Sequence, residues 1–503
     1  MSTVSKKVIM GSGAVAEAYE IEQSIIFDSA SSSKLVKQFG AGNRKTFTIS
    51  AWVKRAGLGK YNAIFGAGEA TGDDVDEEVE GGLVIQPDDT WGISFSGNVY
   101  NAFSSEKLRD VGAWYHLVAV LDTTQAVEAN RFKLYKNGVE TSSYYEANTG
   151  FPPQNYQTIR MNVANSYSQI SGLSGYDATD YFFDGYLAEL NFIDGIALTP
   201  SSFGETNSAT GQWIPKEYSG SYGTNGCYMK FASGAIGTDS SGEGNNYTVS
   251  NLANSDVVKD SPTNNFATMN PLVYRTANGT QVYSEGNLKY GQPTANSWGF
   301  GFTTLNVKSG KWYAEIRCAG NVSVTAGVNN VGHYGYQHFL GQNPQDATGQ
   351  WILYLSGTTT KSRFNGSLAS ETYSVFNTGQ ILGIALNADD KELSFYVDGT
   401  LQSSLGSSGV VDISTGGSAN DEWSFFANTH YGASGAITWN FGQNSSFLGT
   451  ETATSNSDGN GVGAFHTTPP SGYLALCTAN LPDPAIPLPS AHFNTVLYTG
   501  NGG

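Results

Sequence analysis

The sequence predicts an all-β protein built from two β-sandwiches. Charged residues make up 14% of the chain, against roughly 25% in an average globular protein. Glycine is abundant, with 61 residues among 503, and 13% of the residues are aromatic. Low charge and high glycine content indicate many turns, while the aromatic content and the many Thr, Ser, Asn and Val residues favour packed strands over helix or disorder. The length predicts more than one domain, at roughly 150 residues each.

The charge balance excludes two classes of partner. The 26 Lys and Arg residues against 44 Asp and Glu give a net charge of −18 at pH 7, so the average surface repels phosphate backbones and anionic lipids. We therefore expect no nucleic-acid partner and no membrane insertion. The N-terminal segment lacks an apolar signal region, and no apolar run approaches about 18 residues.

The three cysteines are expected to be free and buried. Cys227, Cys318 and Cys477 lie far apart in the sequence, without CxxC spacing or a paired histidine. That pattern indicates neither a zinc site nor a disulfide framework. Unpaired cysteine is among the most buried residue types.

Alternating apolar and polar residues define the first domain, which we place at residues 21–204. In TFTISAWVKR, Phe47, Ile49 and Ala51 lie on one side of a strand. A second strand pair, WYHLVAV and RFKLY, runs into Asn137-Gly138, a strong hairpin signal because both residues tolerate positive φ.

The same pattern returns in a second domain, placed at residues 265–447. FKLYKNGVETSS in the first domain and LSFYVDGTLQSS in the second repeat one strand-turn arrangement. The other segments are less regular. They are an N-terminal arm (1–20) for anchoring or oligomerisation, an irregular connector with short strands (205–264), and an extended C-terminal segment (448–503).

Several motifs resemble proteins of tailed phages, especially marine and cyanobacterial phages. TFTISAWVKR, WYHLVAVLD, FKLYKNGVE and FDGYLAELNFIDGIALTPSSFGE resemble their laminin-G/concanavalin-A-like lectin domains. SGKWYAEI, ILGIALNADDKELSFYVDG and ITWNFGQ resemble a SPRY domain, which is also a concanavalin-like sandwich. The connector, GYLALCTANLPDPAI and YTGNGG resemble the junctions of the same phage proteins. The resemblance implies two concanavalin-A-like jelly-roll sandwiches, LamG-like then SPRY-like, and leaves open whether the native chain continues past Gly503.

The resemblance also implies a function. It implies a virion structural protein, made in the host cytoplasm and acting extracellularly as a tail-fibre or spike-like appendage that attaches to host-surface glycan. The alternatives are a capsid-attached head fibre or decoration protein and a polysaccharide depolymerase. The expected partners are other tail or capsid proteins and further copies of the chain, with a homotrimer favoured.

An acidic run is the first candidate site. TGDDVDEEVE contains Asp73, Asp74 and Asp76, and Ca²⁺ prefers six to eight oxygen ligands such as carboxylates. These three residues are the candidate metal ligands, and calcium is the candidate cofactor. The alternative is a solvated acidic loop or a face that docks a basic partner.

An aromatic and histidine-rich segment is the second candidate. VGHYGYQHF falls where SPRY-like folds carry a variable loop, and His333, Tyr334, Tyr336 and His338 are the candidate ligand contacts. Aromatic rings stack on sugar C–H groups, and Tyr and His add directional hydrogen bonds. The alternative is that these rings pack the loop down or form a subunit contact.

We expect no catalytic activity. The chain has no nucleophile elbow, zincin helix or P-loop. The E-x-D-x-x-E strand pattern of two-carboxylate glycan hydrolases is also missing. His116 in WYHLVAV is most simply a hydrogen-bonded strand histidine.

Overall fold

The computed structural model describes most of the 503-residue chain. The described residues are 19–68, 80–95, 100–145, 151–173, 181–273, 281–292, 301–319, 323–340, 348–356, 359–365, 367–368, 377–414, 420–430, 433–488 and 491–493. Strands dominate these ranges, and the prediction of an all-β protein with sandwich architecture is confirmed. None of the helices in these ranges has the length and apolarity that a membrane crossing requires.

The first sandwich and the connector after it contain eighteen of the described strands. In chain order these are β1 (Ser24–Phe27), β2 (Lys34–Gln38), β3 (Thr46–Arg55), β4 (Asn62–Gly68), β5 (Glu80–Ile85), β6 (Thr90–Phe95), β7 (Tyr100–Lys107), β8 (Trp114–Asp122), β9 (Phe132–Lys136), β10 (Val139–Glu140), β11 (Tyr144–Tyr145), β12 (Tyr167–Ile170), β13 (Gly185–Asp194), β14 (Gly204–Thr206), β15 (Trp213–Pro215), β16 (Cys227–Met229), β17 (Thr248–Ser250) and β18 (Val257–Val258). One sheet has the order β10-β9-β8-β3-β13-β1-β18, with β16 on β13, and the facing sheet has the order β11-β7-β6-β5-β4-β12-β2-β17. Connector strands therefore extend both sheets.

The alternation predicted for β3 is confirmed. Phe47, Ile49, Ala51 and Val53 are all buried in the core between the two sheets. The intervening Trp52 packs on the outer face, where the connector covers the sheet. Side chains alternate between the two faces of a strand. One set of β3 side chains therefore packs in the core, and the other set packs against the connector.

The second sandwich follows with β19 (Val282–Ser284), β20 (Lys289–Gln292), β21 (Gly301–Phe302), β22 (Lys311–Cys318), β23 (Ser323–Asn330), α1 (Val331–Leu340), β24 (Gln350–Ser356), β25 (Thr359–Phe364), β26 (Ser367–Leu368), β27 (Ile381–Asn387), β28 (Glu392–Val397), β29 (Thr400–Leu401), β30 (Val411–Asp412), β31 (Trp423–His430), β32 (Ala433–Asn440) and β33 (Leu474–Ala475). Its larger sheet has the order β19-β20-β32-β22-β27-β28-β29, joined by β30 and β33. Its smaller sheet has the order β21-β31-β23-β24-β25-β26.

The repeated strand-turn pattern has the same backbone in both sandwiches. Asn137 and Gly138 have φ of 48° and 80°, and Asp398 and Gly399 have φ of 46° and 80°. Each turn joins two antiparallel strands, β9 to β10 and β28 to β29. Positive φ at both central residues fits a primed hairpin turn, which explains the recurrence of Asn-Gly and Asp-Gly.

The C-terminal segment packs onto the larger sheet of the second sandwich as far as residue 481. Glu315 on β22 is fully buried and accepts hydrogen bonds from the backbone N–H groups of His466 and Thr467, at 2.8 Å each. The Thr467 hydroxyl and the Asn440 side-chain amide donate to the same carboxylate at 2.6 and 3.0 Å. Burial raises the pKa of Glu315, while these hydrogen bonds act in the opposite direction. This one side chain therefore fixes the chain after residue 465 to the sheet.

A buried ion pair ties the two sandwiches together. The Lys54 ammonium on β3 donates to Asp260 Oδ2 at 2.7 Å, to Asn265 Oδ1 at 2.7 Å and to the Phe266 carbonyl at 3.0 Å. The side chains of Lys54 and Asp260 are both fully buried. Trp114 Nε1 donates to the other carboxylate oxygen of Asp260 at 3.0 Å. The segment that leads into the second sandwich is therefore bound to the first sandwich.

An apolar cluster and a tight turn complete this junction. Ile26, Tyr186, Val258 and Leu288 are all buried against one another. The Tyr186 hydroxyl donates to the carbonyl of Gly286 at 2.6 Å, so the β19–β20 turn of the second sandwich docks on the first.

The three cysteines are free and buried, as predicted. Burial raises the pKa of each thiol to about 12. At neutral pH they are therefore un-ionised core residues.

Candidate functional site

A cleft lies between the connector and the second sandwich. Its volume is about 410 Å³, within the range of roughly 300–1,000 Å³ typical of small-ligand sites, which favour the interfaces between domains. Three stretches of chain line it. They are Gln23 before β1, Ser233 and residues 254–259 of the connector, and residues 443–453 with Ala464 after β32. We call this space the junction cleft.

Hydrogen bonds hold the far wall of the junction cleft in place. Asn444 is 6% exposed, and its side-chain amide donates to the Ser255 carbonyl at 2.6 Å, which joins this wall to the connector. Its side-chain oxygen accepts from the N–H of Ser446 at 3.1 Å and from the hydroxyl of Ser446 at 2.7 Å. Gln443 is 1% exposed, donates to the Ala267 carbonyl at 3.0 Å and accepts from the N–H of Phe441 at 2.7 Å. The amide and hydroxyl groups at this wall are therefore fixed by hydrogen bonds within the protein.

The turn behind that wall has an unusual backbone. Phe447 and Leu448 have φ of 47° and 58°, values that bulky residues rarely adopt. Asn444 Oδ1 accepts from the N–H of Leu448 at 3.3 Å, and Ser446 Oγ accepts from the N–H of Gly449 at 3.1 Å. Strained backbone of this kind persists only where the surrounding contacts enforce it. Here these contacts include side chains from the cleft wall itself.

The charged lining of the cleft is sparse. Lys259 is exposed, and its backbone N–H donates to the Gln443 carbonyl at 3.0 Å. Glu451 is the carboxylate in the lining, and it is ion-paired with the Nε of Arg317 on β22. The remaining polar lining side chains are neutral amides and hydroxyls.

The predicted aromatic and histidine contacts lie elsewhere, in α1 rather than in a loop. Asn330 Oδ1 accepts from the N–H of His333 at 3.0 Å, which starts the helix as a side-chain cap. His333 is exposed, whereas Tyr334 packs against the apolar cluster that contains Phe302 and Phe426. The backbones of Tyr336 and His338 lie in the second half of α1, and their side chains lie outside what the structure describes. Of the four predicted contacts, His333 is thus exposed on the surface and Tyr334 is partly buried.

The predicted calcium ligands Asp73, Asp74 and Asp76 lie outside the described residues. Within the described ranges, no group of three or more His, Cys, Asp and Glu side chains is arranged to hold a metal ion.

His116 lies in a hydrogen-bonded stack on the outer face of the first sandwich. It is fully buried, its ring stacks on Trp52 with centroids 4.7 Å apart, and burial lowers its pKa to about 3. Trp213 Nε1 donates to His116 Nδ1 at 3.0 Å, and Ser50 Oγ lies 2.8 Å from His116 Nε2. Because an indole N–H can only donate, Nδ1 is the acceptor and the ring proton sits on Nε2. Nε2 therefore donates to Ser50, which is opposite to the polarity that a serine nucleophile needs from its base.

A family model matches the first sandwich. Residues 28–202 match a laminin G-type model described as the Concanavalin A-like lectin/glucanases superfamily. The matched range runs from the end of β1 to the turn before β14, so a concanavalin A-like fold is assigned to this sandwich. A comparison with curated proteins gives no match.

Several solved structures are similar to parts of the chain. The SPRY domain of human HERC1 matches at 14% identity and a TM-score of 0.26, covering 34% of this chain and 96% of that domain. A heptameric SAP-like pentraxin from Limulus polyphemus matches at 17% identity and a TM-score of 0.26, covering 36% of this chain and 80% of the pentraxin. A candidate carbohydrate-binding protein from Bacteroides ovatus matches at 17% identity and a TM-score of 0.30. That match covers 46% of this chain and 61% of the length of the Bacteroides protein.

Proposed function

We propose that the protein is a carbohydrate-binding virion protein, a tail-fibre or spike-like phage appendage that attaches to host-surface glycan. The observation that carries the binding part is the cleft with its amide and hydroxyl side chains, beside a sandwich that matches the model of the Concanavalin A-like lectin/glucanases superfamily. Sugars are recognised through hydroxyl groups, each of which both donates and accepts hydrogen bonds. Amide and hydroxyl side chains of the kind that line the junction cleft complement that chemistry.

The charged lining favours binding over cleavage. Hydrolases of the two-carboxylate type place a pair of Asp or Glu side chains about 5 to 9.5 Å apart across the scissile bond. The described lining of the junction cleft offers Glu451 alone, and that carboxylate is engaged by Arg317. A depolymerase would therefore need a second carboxylate from outside this lining.

The phage assignment rests on the ordered motifs of both sandwiches, their connector and their C-terminal junction. We infer that the chain is made in the host cytoplasm, assembles as a homotrimer, and projects its sandwiches from the particle. Buried, un-ionised thiols suit such a route, because they survive both a reducing cytoplasm and an oxidising exterior. A position on the capsid as a head fibre remains the alternative.

Glycan binding is tested with the full chain on an oligosaccharide array. Ala453→Trp places a large ring in the junction cleft at an exposed position, leaving the hydrogen bonds of the wall in place. We expect the wild-type protein to bind a defined subset of glycans and Ala453→Trp to weaken that binding at least tenfold. Ala126→Trp, at an exposed position on the first sandwich and outside the cleft lining, is the matched control and should bind normally. If Ala453→Trp binds glycans as the wild type does, the binding site lies outside the junction cleft. If no glycan on the array binds, the proposed glycan-binding function is rejected.

The virion role is tested on particles. Electron cryo-microscopy of intact virions should show density for the two sandwiches on the tail, and the purified protein should block adsorption to host cells. Density on the head alone would replace the tail-fibre assignment with the head-fibre alternative. Particles that lack the protein altogether would end the virion assignment.

A further inference from the structure

The charge balance of the junction cleft differs from that of the rest of the chain. The chain carries a net charge of −18. In the cleft, by contrast, the charged lining side chains are Lys259 and Glu451. The Glu451 charge is compensated by Arg317, which leaves Lys259 as the charged lining residue without an ion-pair partner among the described residues.

Lys259 is placed to meet a ligand. Its side chain is exposed, and among the residues that the structure describes it has no carboxylate within ion-pair distance. Its backbone is fixed from both sides, because its own N–H donates to the Gln443 carbonyl and the next residue, Asp260, is held in the buried pair with Lys54. The backbone that carries the Lys259 side chain is therefore fixed at the edge of the cleft.

The neighbouring carboxylate does not neutralise this charge by direct contact. Asp256 lies three residues before Lys259 and is not part of the cleft lining. Its Oδ2 accepts from the N–H of Ala253 at 2.8 Å and its Oδ1 faces the Ser255 hydroxyl, so both oxygens are turned into their own short helical turn.

Most neutral polar side chains that share the lining with Lys259 already donate to the protein. Gln23 donates to the Lys230 and Phe231 carbonyls, and Ser445 donates to the Thr454 carbonyl at 2.7 Å. A lysine ammonium acts as a point charge toward carboxylate, sulfate or phosphate oxygens, so Lys259 is the lining group that favours an anion. An uncharged sugar would leave this ammonium without a counter-charge.

We propose that the junction cleft selects anionic saccharides, with Lys259 as the residue that recognises the acidic group. This inference rests on the proposed glycan-binding function and names the substrate class of the same cleft. It requires neither a metal ion nor a catalytic step.

The test is an array that pairs neutral hexose oligosaccharides with counterparts in which one sugar is a uronic acid. We expect the uronic acid members to dominate binding to the wild-type chain, with affinity that falls as salt rises from 50 to 500 mM, because salt screens the pairing of exposed charges. Lys259→Gln should weaken binding to acidic members by about three- to fivefold, on the scale of an exposed ion pair. Binding to neutral members should change less than twofold. Lys259→Arg, which keeps the charge, should retain the preference.

A control variant and a second set of acidic glycans distinguish the possible outcomes. Lys308→Gln removes another exposed lysine of the second sandwich, one that is paired with Glu422, and should leave binding unchanged. Glycan binding without an acidic preference, or an acidic preference untouched by Lys259→Gln, would overturn the inference while the proposed glycan binding stands. Absence of binding to every member would reject both. Sulfated counterparts on the same array separate recognition of carboxylates from recognition of anions in general.

Discussion

The buried Lys54–Asp260 pair should make the two sandwiches unfold as a coupled unit, and removing one partner should be costly. Lys54→Met keeps most of the side-chain volume but leaves the Asp260 carboxylate buried without its ammonium. Breaking a fully buried pair in this way costs about 3–5 kcal/mol, mostly because the remaining charge is desolvated. At about 2–4 °C per kcal/mol for a domain of 150–250 residues, the melting temperature should fall by roughly 10 °C.

The double variant Lys54→Met/Asp260→Leu separates this mechanism from simple loss of packing. It removes both charges, so the desolvation penalty disappears with them. What remains is the loss of acceptors for Trp114 Nε1 and the N–H of Phe266, and the loss of the lysine donor for Asn265 Oδ1 and the Phe266 carbonyl, each about 1 kcal/mol. The double variant should therefore be more stable than either single variant, Lys54→Met or Asp260→Leu.

Differential scanning calorimetry and urea unfolding measure both quantities. The coupling energy from the four proteins should exceed about 2 kcal/mol, since the two residues are in direct contact. The reasoning would be refuted if each single variant lowered the free energy of unfolding by less than about 1 kcal/mol, or if the two losses simply added in the double variant. Calorimetry also shows whether the single unfolding transition splits into two. We expect that split if the substitution weakens only the contact between the two sandwiches.

Three further predictions follow from buried titratable groups. Glu315→Ala should destabilise the protein by about 3 kcal/mol and expose the segment around Thr467 to protease, because four hydrogen-bond donors lose their acceptor; an unchanged digestion pattern would contradict this. Burial, together with nearby Asp residues, raises the pKa of Glu285 to about 7, above its ordinary value. A raised carboxyl pKa makes the folded state hold its proton longer, so stability should fall, by on the order of 1 kcal/mol for this partly exposed group, as pH rises from 5 to 8. Glu285→Gln should remove that fall in a urea-unfolding series, and an identical pH profile in the variant would refute the assignment. The thiols of Cys227 and the other two cysteines should stay unreactive toward Ellman's reagent until urea unfolds the chain, and rapid reaction of the native protein would contradict their burial.

Local pattern was sufficient to predict the strands and hairpins. The alternation in TFTISAWVKR predicted which residues of β3 fill the core, because a strand has only two faces. Asn137-Gly138 and Asp398-Gly399 predicted both primed turns, because few other residue pairs accept two positive φ values. These features depend on residues within about ten positions of each other.

The junction cleft could not be predicted in this way. Its walls come from Gln23, from residues 254–259 and from residues 443–453, which only the folded chain brings together. The NSSFLG stretch at Asn444 gave one local signal, since a cluster of Asn, Ser and Gly favours a side-chain-stabilised turn. Nothing in its sequence indicated that a connector packed against it.

The start of α1 was a missed local signal. Asn330 precedes the helix and caps it at His333, a role that Asn often takes. The loop was predicted from the resemblance to SPRY-like folds, and Gly335 does interrupt the helix with φ of 71° and ψ of 157°. Glu315 in the strand KWYAEIRC was a second missed signal, because a fully buried carboxylate needs hydrogen-bond donors from another segment.

The most direct test of the central claim is a crystal structure of the full chain with the oligosaccharide that binds most tightly on the array. The account predicts a sugar in the junction cleft, hydrogen-bonded to the wall around Asn444, with an acidic group within about 3 Å of the Lys259 ammonium. A sugar bound on α1 near His333, or on the first sandwich away from the connector, would contradict the claim that the junction between the two sandwiches is the binding site.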